Sequence, residues 1–391
     1  MVPVLAEVRP GEAGGAPEPW GASPALVGVR SGRAALGALR DHVRANAERR
    51  PGVYEFLDEG DDVFYVGKAK SLRARLLSYF TAPWPDSKGA RLIRSARAMR
   101  WRYVPSEFAA LLEELRLIKR LRPHRNVHGN RTARRTVFLK LTGGAAPKLR
   151  LTARTADAEA RYYGPFRGAG RAADAVRVLS DVLRLRDCAQ ERPITLGDQA
   201  ELFSGSAAPA CLRHDLGTCL GPCAGRCTAA RYAAAVAEAA SFLEGRSAAP
   251  LGRVLDVMAD ASDRAEFERA AAWREKLEAL EWLFGAVARL AAALDALSFV
   301  YSVRDVSGGG DDRVYLVRRG IVMAEAPLPR TPIERLAFGA LVERHAGLPA
   351  PALVARTAEE MDQLLLVMSW FRQRPEAFEA TSRYAAWLGD R

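Results

Sequence analysis

The chain has 391 residues, enough for two or three domains that each bury a core. Its net charge of +12 favours a polyanionic partner, nucleic acid before a membrane surface. No stretch approaches the roughly 20 apolar residues of a membrane span, and the N-terminus has no apolar segment typical of a signal peptide. We therefore expect a cytoplasmic protein with no membrane contact, whose five cysteines are ligands or free thiols rather than disulfides.

The first 50 residues predict a tail and one helix. Residues 1–30 are rich in Gly, Ala, Pro and Glu without periodicity, which is typical of a mobile tail. Residues 31–47 carry apolar side chains at helical spacing, and Ser31 is a suitable N-cap. We expect this helix to pack beside the domain that follows it.

Two short apolar segments then predict a β-hairpin. They contain the tripeptides Gly52-Val53-Tyr54 and Tyr65-Val66-Gly67, and the acidic residues 58–62 with one glycine form a turn between them. Residues 68–80 have helical spacing, with Leu72, Leu76 and Tyr79 on one face. Residues 90–100 predict a basic helix with Arg at every third position. Residues 101–104 predict a third strand.

The next predicted helix carries two adjacent glutamates. Ser106 is its N-cap, and its apolar stripe consists of Phe108, Leu111, Leu112, Leu115 and Ile118. At about 100° per residue, Glu113 points away from this stripe and Glu114 borders it. A metal-binding carboxylate has to lie at the edge of the core, so the geometry favours Glu114.

The two tripeptides and the helices after them resemble the GIY-YIG nuclease module, which we expect at 48–130 as a small mixed sheet flanked by helices. In that family an arginine on the helix after the second tyrosine binds the scissile phosphate, where negative charge builds up. Arg75 matches it, and Lys68 matches a basic residue just past the glycine. The family glutamate lies five residues before the lysine of Leu-Ile-Lys, here Lys119, so the resemblance also selects Glu114.

The resemblance implies a catalytic set with one metal ligand, Glu114, and a Mg²⁺ or Mn²⁺ ion. The catalytic residues are Tyr54, Tyr65, Lys68, Arg75 and Asn126. Tyr54 is the candidate base; its ordinary pKa is near 10, and we expect Lys68, Arg75 and the metal ion to lower it. Tyr65 positions the reactants, and Asn126, in the family pattern Arg-Pro-x-x-Asn, orders the site.

Residues 115–148 contain no acidic side chain. Beside a phosphate-cleaving site, such a basic run is best interpreted as a groove that follows the DNA backbone without reading its sequence. The predicted DNA-binding residues are Arg73, Lys119, Arg122, Arg125, Arg131, Arg134 and Arg135.

Residues 160–245 predict a Cys-rich domain. Tyr163-Gly164-Pro165-Phe166, a helix at 171–185 and the cysteines after it resemble the middle domain of the UvrC family of bacterial excision-repair nucleases. The resemblance implies a 4Fe–4S cluster, although four thiolates also suit a structural zinc. The predicted ligands are Cys188, Cys211, Cys219 and Cys223, and Cys227 can substitute for Cys223.

Residues 250–285 predict a helical hairpin. Residues 267–274 resemble the UVR motif, through which UvrC proteins meet the partner UvrB. This resemblance implies partner contacts by Phe267, Ala271 and Arg274 on one helix face. The alternative is a hairpin that belongs to a hydrophobic core.

Residues 295–391 predict a small α/β module with strands at 299–303, 313–319 and 321–327. These strands resemble the opening of the RNase H-like second nuclease of UvrC. Its expected Asp-Gly-Gly site is absent. We thus expect an α+β multidomain, metal-dependent DNA endonuclease that makes a single-strand incision on the 3′ side of a lesion in nucleotide excision repair. The alternatives are a non-catalytic DNA-binding accessory protein and a GIY-YIG nuclease of another DNA-processing pathway.

Overall fold

A computed structural model describes residues 6–7, 33–126, 137–198, 211–306, 308–347 and 356–388. The chain divides into two compact units. The first comprises Met1–His128, Leu297–Leu348 and Gln363–Arg391, and the second comprises Gly129–Ala296 and Pro349–Asp362. No helix within the described ranges is long and apolar enough to cross a membrane.

The N-terminal part of the first unit is a three-stranded sheet with four helices. Its elements are α1 (Arg33–Asn46), β2 (Gly52–Leu57), β3 (Val63–Ala69), α2 (Leu72–Phe80), α3 (Lys88–Ser95), β4 (Ala98–Tyr103) and α4 (Glu107–Leu121), and the sheet order is β3-β2-β4. Both pairings are antiparallel, so the predicted mixed sheet is wrong. The connection through α2 and α3 makes β4 run in the same direction as β3. Because β2 lies between these two strands and runs the opposite way, both neighbouring pairs are antiparallel.

The basic helix α3 is shorter than predicted. It ends at Ser95, and Arg97 already donates its backbone N–H to Leu57 at 2.8 Å. Arg100, predicted to lie on the helix, pairs instead with Glu55 in the sheet register. Pairing with β2 overrides the helical spacing of the arginines, because sheet formation depends on the neighbouring strand more than on local sequence.

The C-terminal part of the first unit is a five-stranded sheet with two helices. The elements are β1 (Ala6–Glu7), β8 (Phe299–Val303), β9 (Arg313–Arg318), β10 (Ile321–Pro327), α10 (Pro332–Gly347), α11 (Ala358–Gln373) and β11 (Thr381–Ser382), in the sheet order β1-β10-β9-β8-β11. All pairings are antiparallel, so this part is α+β rather than α/β. Contrary to the tail prediction, Ala6–Glu7 pairs with β10; the rest of residues 1–30 lies outside the described ranges.

This C-terminal sheet packs on helix α4. The ring of Phe108, which is fully buried, lies 5.2 Å from that of Tyr301 and 4.9 Å from that of Tyr315. Arg374 donates to the Glu107 carboxylate at 2.8 Å. Helix α4 is therefore covered on two sides, since Ala110 and Leu117 pack against the β3-β2-β4 sheet.

The second unit has a three-stranded antiparallel sheet, order β6-β5-β7, and a helical layer. Its elements are β5 (Val137–Leu141), β6 (Leu149–Thr152), β7 (Arg161–Phe166), α5 (Ala169–Val182), α6 (Leu212–Asp215), α7 (Ala229–Leu243), α8 (Ala249–Asp263) and α9 (Phe267–Asp295). Helices α8 and α9 form the predicted hairpin, but α9 runs ten residues beyond 285. Leu283 and Val287 enter the core that also contains Leu139 and Phe242, and this burial extends the helix.

Candidate active site

Three tyrosines meet at the centre of the first unit. Tyr54 comes from β2, Tyr65 from β3 and Tyr79 from α2, and the hydroxyls of Tyr54 and Tyr79 are 2.6 Å apart. Tyr65 also shares a hydrogen bond with Tyr79. Arg75 donates from Nε to the Tyr54 hydroxyl at 3.3 Å. The result is a network in which Arg75 and Tyr79 are hydrogen-bonded to the Tyr54 oxygen and Tyr65 is hydrogen-bonded to Tyr79.

Gly67 makes room for this network. It pairs with Tyr54 across β2 and β3, and a Cβ on Gly67 would lie 2.4 Å from the Tyr54 hydroxyl oxygen. Such a distance is far inside van der Waals contact, so any side chain here would displace Tyr54. The glycine of the second tripeptide is therefore needed for the close approach of Tyr54 to the strand.

The pKa values of the tyrosines differ from the sequence-based expectation. Burial, helped by the nearby Tyr65 phenol, raises the pKa of Tyr54 to about 12, although hydrogen bonds from Tyr79 and Arg75 lower it. Burial likewise raises the pKa of both Tyr65 and Tyr79. Arg75 lowers the pKa of Tyr54 as expected, but the removal of the phenolate from water outweighs this effect, so the net shift is upward.

The structure brings Glu114 to this cluster. Its carboxylate accepts the backbone N–H of Lys68, and burial raises its pKa to about 7 despite the opposing charges of Lys68 and Arg75. Glu113 instead pairs with Arg102 of β4 and lies 3.6 Å from Arg116. The expectation that Glu113 points away from the core is wrong, because α4 is covered on two sides, but the glutamate that reaches Lys68 is the predicted one.

Asn126 holds the edge of β3. Its side chain accepts from the Val66 N–H and donates to the Val66 carbonyl, both at 2.8 Å. Val66 lies between Tyr65 and Gly67, so this amide takes the place of a neighbouring strand where the site is built. Such an arrangement supports the ordering role predicted for Asn126.

Four of the predicted DNA-binding residues lie in the described part of the chain: Arg73, Lys119, Arg122 and Arg125. Arg73 turns its guanidinium to the Ala47 carbonyl at 3.4 Å, and Arg125 lies 5.7 Å from the Phe64 ring. Arg122 is exposed at the end of α4, and Lys119 is half-buried. Arg131, Arg134 and Arg135 lie outside the described residues.

Sequence reasoning missed Tyr79 and Lys88 as members of the site. Tyr79 was expected only as part of an apolar helix face, yet its hydroxyl is the partner of Tyr54. Lys88 Nζ lies 5.4 Å from the centroid of the Tyr65 ring. The available signal for Tyr79 was its position one helical turn after Arg75, whose guanidinium lies 4.9 Å from its ring.

Comparison with known protein families identifies two regions of the chain. Residues 50–127 match the UvrC-like GIY-YIG domain, and residues 136–242 match the middle domain of the UvrC/Cho excinucleases. The chain belongs to the UvrC-like GIY-YIG family.

Individual UvrC proteins agree with this assignment. UvrABC system protein C of Sphingopyxis alaskensis is 32% identical over 81% of this chain, which spans 48% of that protein. The protein of the same name from Rhizobium meliloti is 35% identical over 59% of this chain and 32% of its own length. This chain thus spans half or less of these curated relatives.

A solved structure matches the nuclease part alone. The GIY-YIG N-terminal endonuclease domain of UvrC from Thermotoga maritima, bound to magnesium, is 36% identical to this chain over the matched region. The match covers 23% of this chain and 97% of that domain, with a TM-score of 0.21.

The cysteines of the UvrC-like middle region are neighbours. Burial raises the pKa of Cys219, and the adjacent Cys211 and Cys223 raise it further; Cys223 in turn has Cys188 and Cys211 beside it. The Cys227 thiol is buried next to Cys219 and Cys223, and its pKa is raised as well. Within the described ranges, however, no three Cys, His, Asp or Glu side chains converge on a single-ion site.

Two N–H groups already point at these sulfurs. Arg186 Nη1 lies 3.5 Å from the Cys188 Sγ, and the Gly221 N–H donates to the Cys219 Sγ at 3.4 Å. Such donors favour thiolates over thiols, as at metal-bound cysteines.

The UVR-like residues lie on an open helix face. Phe267 is 67% exposed, and Ala271 and Arg274 are exposed as well. Arg274 Nε lies 3.9 Å from the Glu278 carboxylate, and both side chains are largely exposed. Farther along α9, Leu280, Leu283 and Val287 are buried in the core of the second unit.

Proposed function

We propose that this chain is a metal-dependent DNA endonuclease of nucleotide excision repair that makes a single-strand incision on the 3′ side of a lesion. The observation that carries the proposal is the meeting of Glu114, Lys68 and Arg75 beside three hydrogen-bonded tyrosines. A carboxylate, two cations and phenols are the groups that hydrolysis of a phosphodiester requires. The UvrC-like domain assigned to residues 50–127 supports DNA as the substrate.

Glu114 fits a divalent cation. The metal ligand is one buried carboxylate. The positive charges of Lys68 and Arg75 do not offset the cost of removing this carboxylate from water, so its negative charge is only partly balanced. Mg²⁺ or Mn²⁺ prefers oxygen ligands and keeps several waters, which one carboxylate and a phosphate allow; magnesium is also the ion bound by the Thermotoga maritima domain. When bound, the ion supplies a Lewis acid to the phosphate.

The remaining roles follow from the hydrogen bonds. Arg75 and Lys68 neutralise the charge that develops on the phosphate oxygens, and Arg75 reaches it from beside Tyr54. Tyr54 is the candidate to accept the proton of the attacking water; Arg75 and Tyr79 lower the pKa that burial raises. Tyr65 and Asn126 position the strand edge on which these groups lie.

In the middle region we propose a 4Fe–4S cluster on Cys188, Cys211, Cys219 and Cys223. In such a cluster each thiolate binds a different iron, so neighbouring cysteines need not converge on one point as they do around a zinc ion. The proximity of these thiols supports a shared metal centre in this region.

We infer that the open face of α9 recruits a UvrB-like partner. Phe267 is a large aromatic side chain left 67% exposed, and such residues are typical anchors of protein interfaces. Ala271 lets a partner helix approach closely, and Arg274 lies at the rim.

The test is incision of a lesion-bearing duplex by purified protein with Mg²⁺ and a UvrA/UvrB-type loading system. Glu114→Gln should abolish nicking while DNA binding survives. Glu113→Gln is the matched control and should keep nicking within a few fold, because Glu113 pairs with Arg102 rather than with the site. Equal loss in both variants contradicts the assignment of Glu114, and no nicking by the loaded wild type supports the accessory-protein alternative.

A further inference from the structure

The loop between α2 and α3 presents an exposed aromatic side chain. Trp84 is 52% exposed, and the guanidinium carbon of Arg94 lies 4.3 Å from the centroid of its ring. An arginine stacked on an indole leaves the rest of the ring as an apolar surface with a cation at its back.

Hydrogen bonds hold this loop in place. Arg91 Nη1 donates to the Pro85 carbonyl at 2.8 Å and to the Asp86 carbonyl at 3.1 Å. The Ser87 N–H donates to the Pro83 carbonyl at 3.0 Å. Trp84 therefore lies on a braced loop, and little ordering entropy is lost when a ligand binds it.

The same loop leads directly to the tyrosine cluster. Gly89, in the first turn of α3, lies so close to Tyr79 that a Cβ would be 3.2 Å from its ring. Its neighbour Lys88 places Nζ 5.4 Å from the centroid of the Tyr65 ring. The start of α3 therefore lies beside the tyrosine cluster, and Trp84 on the braced loop precedes Lys88 by four residues.

The charge around Trp84 suits a polyanion. Residues 81–97 contain four basic side chains and one acidic side chain, Asp86. Lys88, Arg91 and Arg94 are exposed, and none of them forms an ion pair with a carboxylate in the described part of the chain. These cations are available for phosphate groups.

We propose that Trp84 and Arg94 form a stacking platform for an unpaired DNA base next to the cleaved phosphodiester. This inference rests on the proposed nuclease function and adds a preference among its substrates. Aromatic side chains stack on unpaired bases of any sequence, and Arg and Lys bind the flanking phosphates. A base inside an intact duplex already has stacking partners, so the platform favours DNA with unpaired nucleotides at the incision site.

Binding to DNA without metal tests the platform. The probes are a duplex with a short unpaired segment carrying 2-aminopurine and the same duplex fully paired, both in EDTA. The wild type should quench the 2-aminopurine. Trp84→Ala should remove the quenching and weaken binding to the unpaired probe about tenfold, with less than a twofold change for the paired probe. Trp84→Phe should retain most of both effects. Ile333→Ala, which truncates an apolar side chain that is 73% exposed on α10, is the control and should change neither.

The outcomes separate this inference from the nuclease proposal, because binding in EDTA needs no incision. Quenching that depends on Trp84 in a protein that never nicks DNA supports the platform and contradicts the nuclease proposal. A nicking-competent protein in which Trp84→Ala binds both probes like the wild type, or loses both equally, overturns the platform. Unchanged DNA binding with weaker association to a UvrB-type protein would assign Trp84 to protein docking instead.

Discussion

The two candidate sites of this chain are constructed differently. At the candidate active site each main side chain comes from a strand or helix that also contributes side chains to a hydrophobic core. Tyr54 on β2 and Glu114 on α4 are examples. The cysteines come from the irregular segments between α5 and α7, around the four-residue helix α6 and a turn at Pro222–Ala224. At the tyrosine site the hydroxyl groups are hydrogen-bonded to other protein groups. The described cysteines, by contrast, do not form a site for a single metal ion.

This difference indicates which site depends on its bound group. A constellation on regular elements is positioned by the core beneath it and is preorganised before any ligand binds. A constellation on loops has little packing of its own, so the binding free energy of the metal becomes folding free energy of the region. We therefore expect the nuclease site to survive metal removal and the cysteine region to lose order.

The largest expected effect comes from Cys219→Ser. If the cluster holds the loops, its loss should lower the free energy of unfolding of the second unit by about 4 kcal/mol or more. The first unit should change little, and differential scanning calorimetry can separate the unfolding of the two units.

Wild-type protein purified anaerobically should be brown, with about four irons per chain. Colourless protein with one zinc per chain would show that the cysteines hold a structural zinc ion instead of a cluster.

Gly67→Ala should break the preorganised site. The new Cβ lies 2.4 Å from the Tyr54 hydroxyl oxygen, so the ring must move. We expect about a hundredfold loss of incision rate and about 1–3 kcal/mol of stability. Gly37→Ala in α1, with no atom within 4 Å of its Cβ, is the control and should be neutral or stabilising. Normal incision by Gly67→Ala would show that the position of Tyr54 is not critical.

Asn126→Ala tests whether the strand edge is held by its amide. The variant removes two hydrogen bonds of 2.8 Å to Val66 and leaves both backbone groups without that partner. We expect a loss of about 1–3 kcal/mol, together with faster amide hydrogen exchange at Tyr65–Gly67. Exchange that remains slow would mean that the edge is ordered by its pairing with β2 alone.

The raised pKa of Glu114 predicts a pH-dependent stability. Because its pKa is raised from 4.5 to about 7 on folding, the native state keeps a proton that the unfolded state has lost between those values. The free energy of unfolding therefore falls as pH rises through this window, by at most about 1.4 kcal/mol per pH unit from this group. Urea unfolding of the wild type and Glu114→Gln from pH 5 to 8, without divalent cations, should show this slope in their difference. Parallel curves would place Glu114 in a more solvated environment.

The smallest effect is expected from Arg374→Ala. Its ion pair with Glu107 at 2.8 Å is partly exposed, so its loss should cost about 1 kcal/mol or less. Phe108→Ala, at the centre of the same contact, should cost about 3–5 kcal/mol and serves as the reference. If the two variants destabilise equally, the polar contact contributes more to this packing than its exposure indicates.

The sequence by itself determined the local content of this protein. The two tripeptides predicted the β2–β3 hairpin, and the helical angle and the family spacing both selected Glu114 rather than Glu113. The strands β8, β9 and β10 were predicted to within a residue, because alternating apolar residues and glycine turns are local signals.

Only the tertiary structure decided the properties that depend on burial and on distant neighbours. The pKa of Tyr54 rises because β2, β3 and α2 together exclude water from it, and no spacing in the sequence measures that exclusion. Tyr79 joins the site, and Arg100 leaves the predicted helix, for the same reason: each contacts residues far away along the chain. Local sequence specifies which groups an element carries, whereas packing decides which of them meet and how strongly water still solvates their charges.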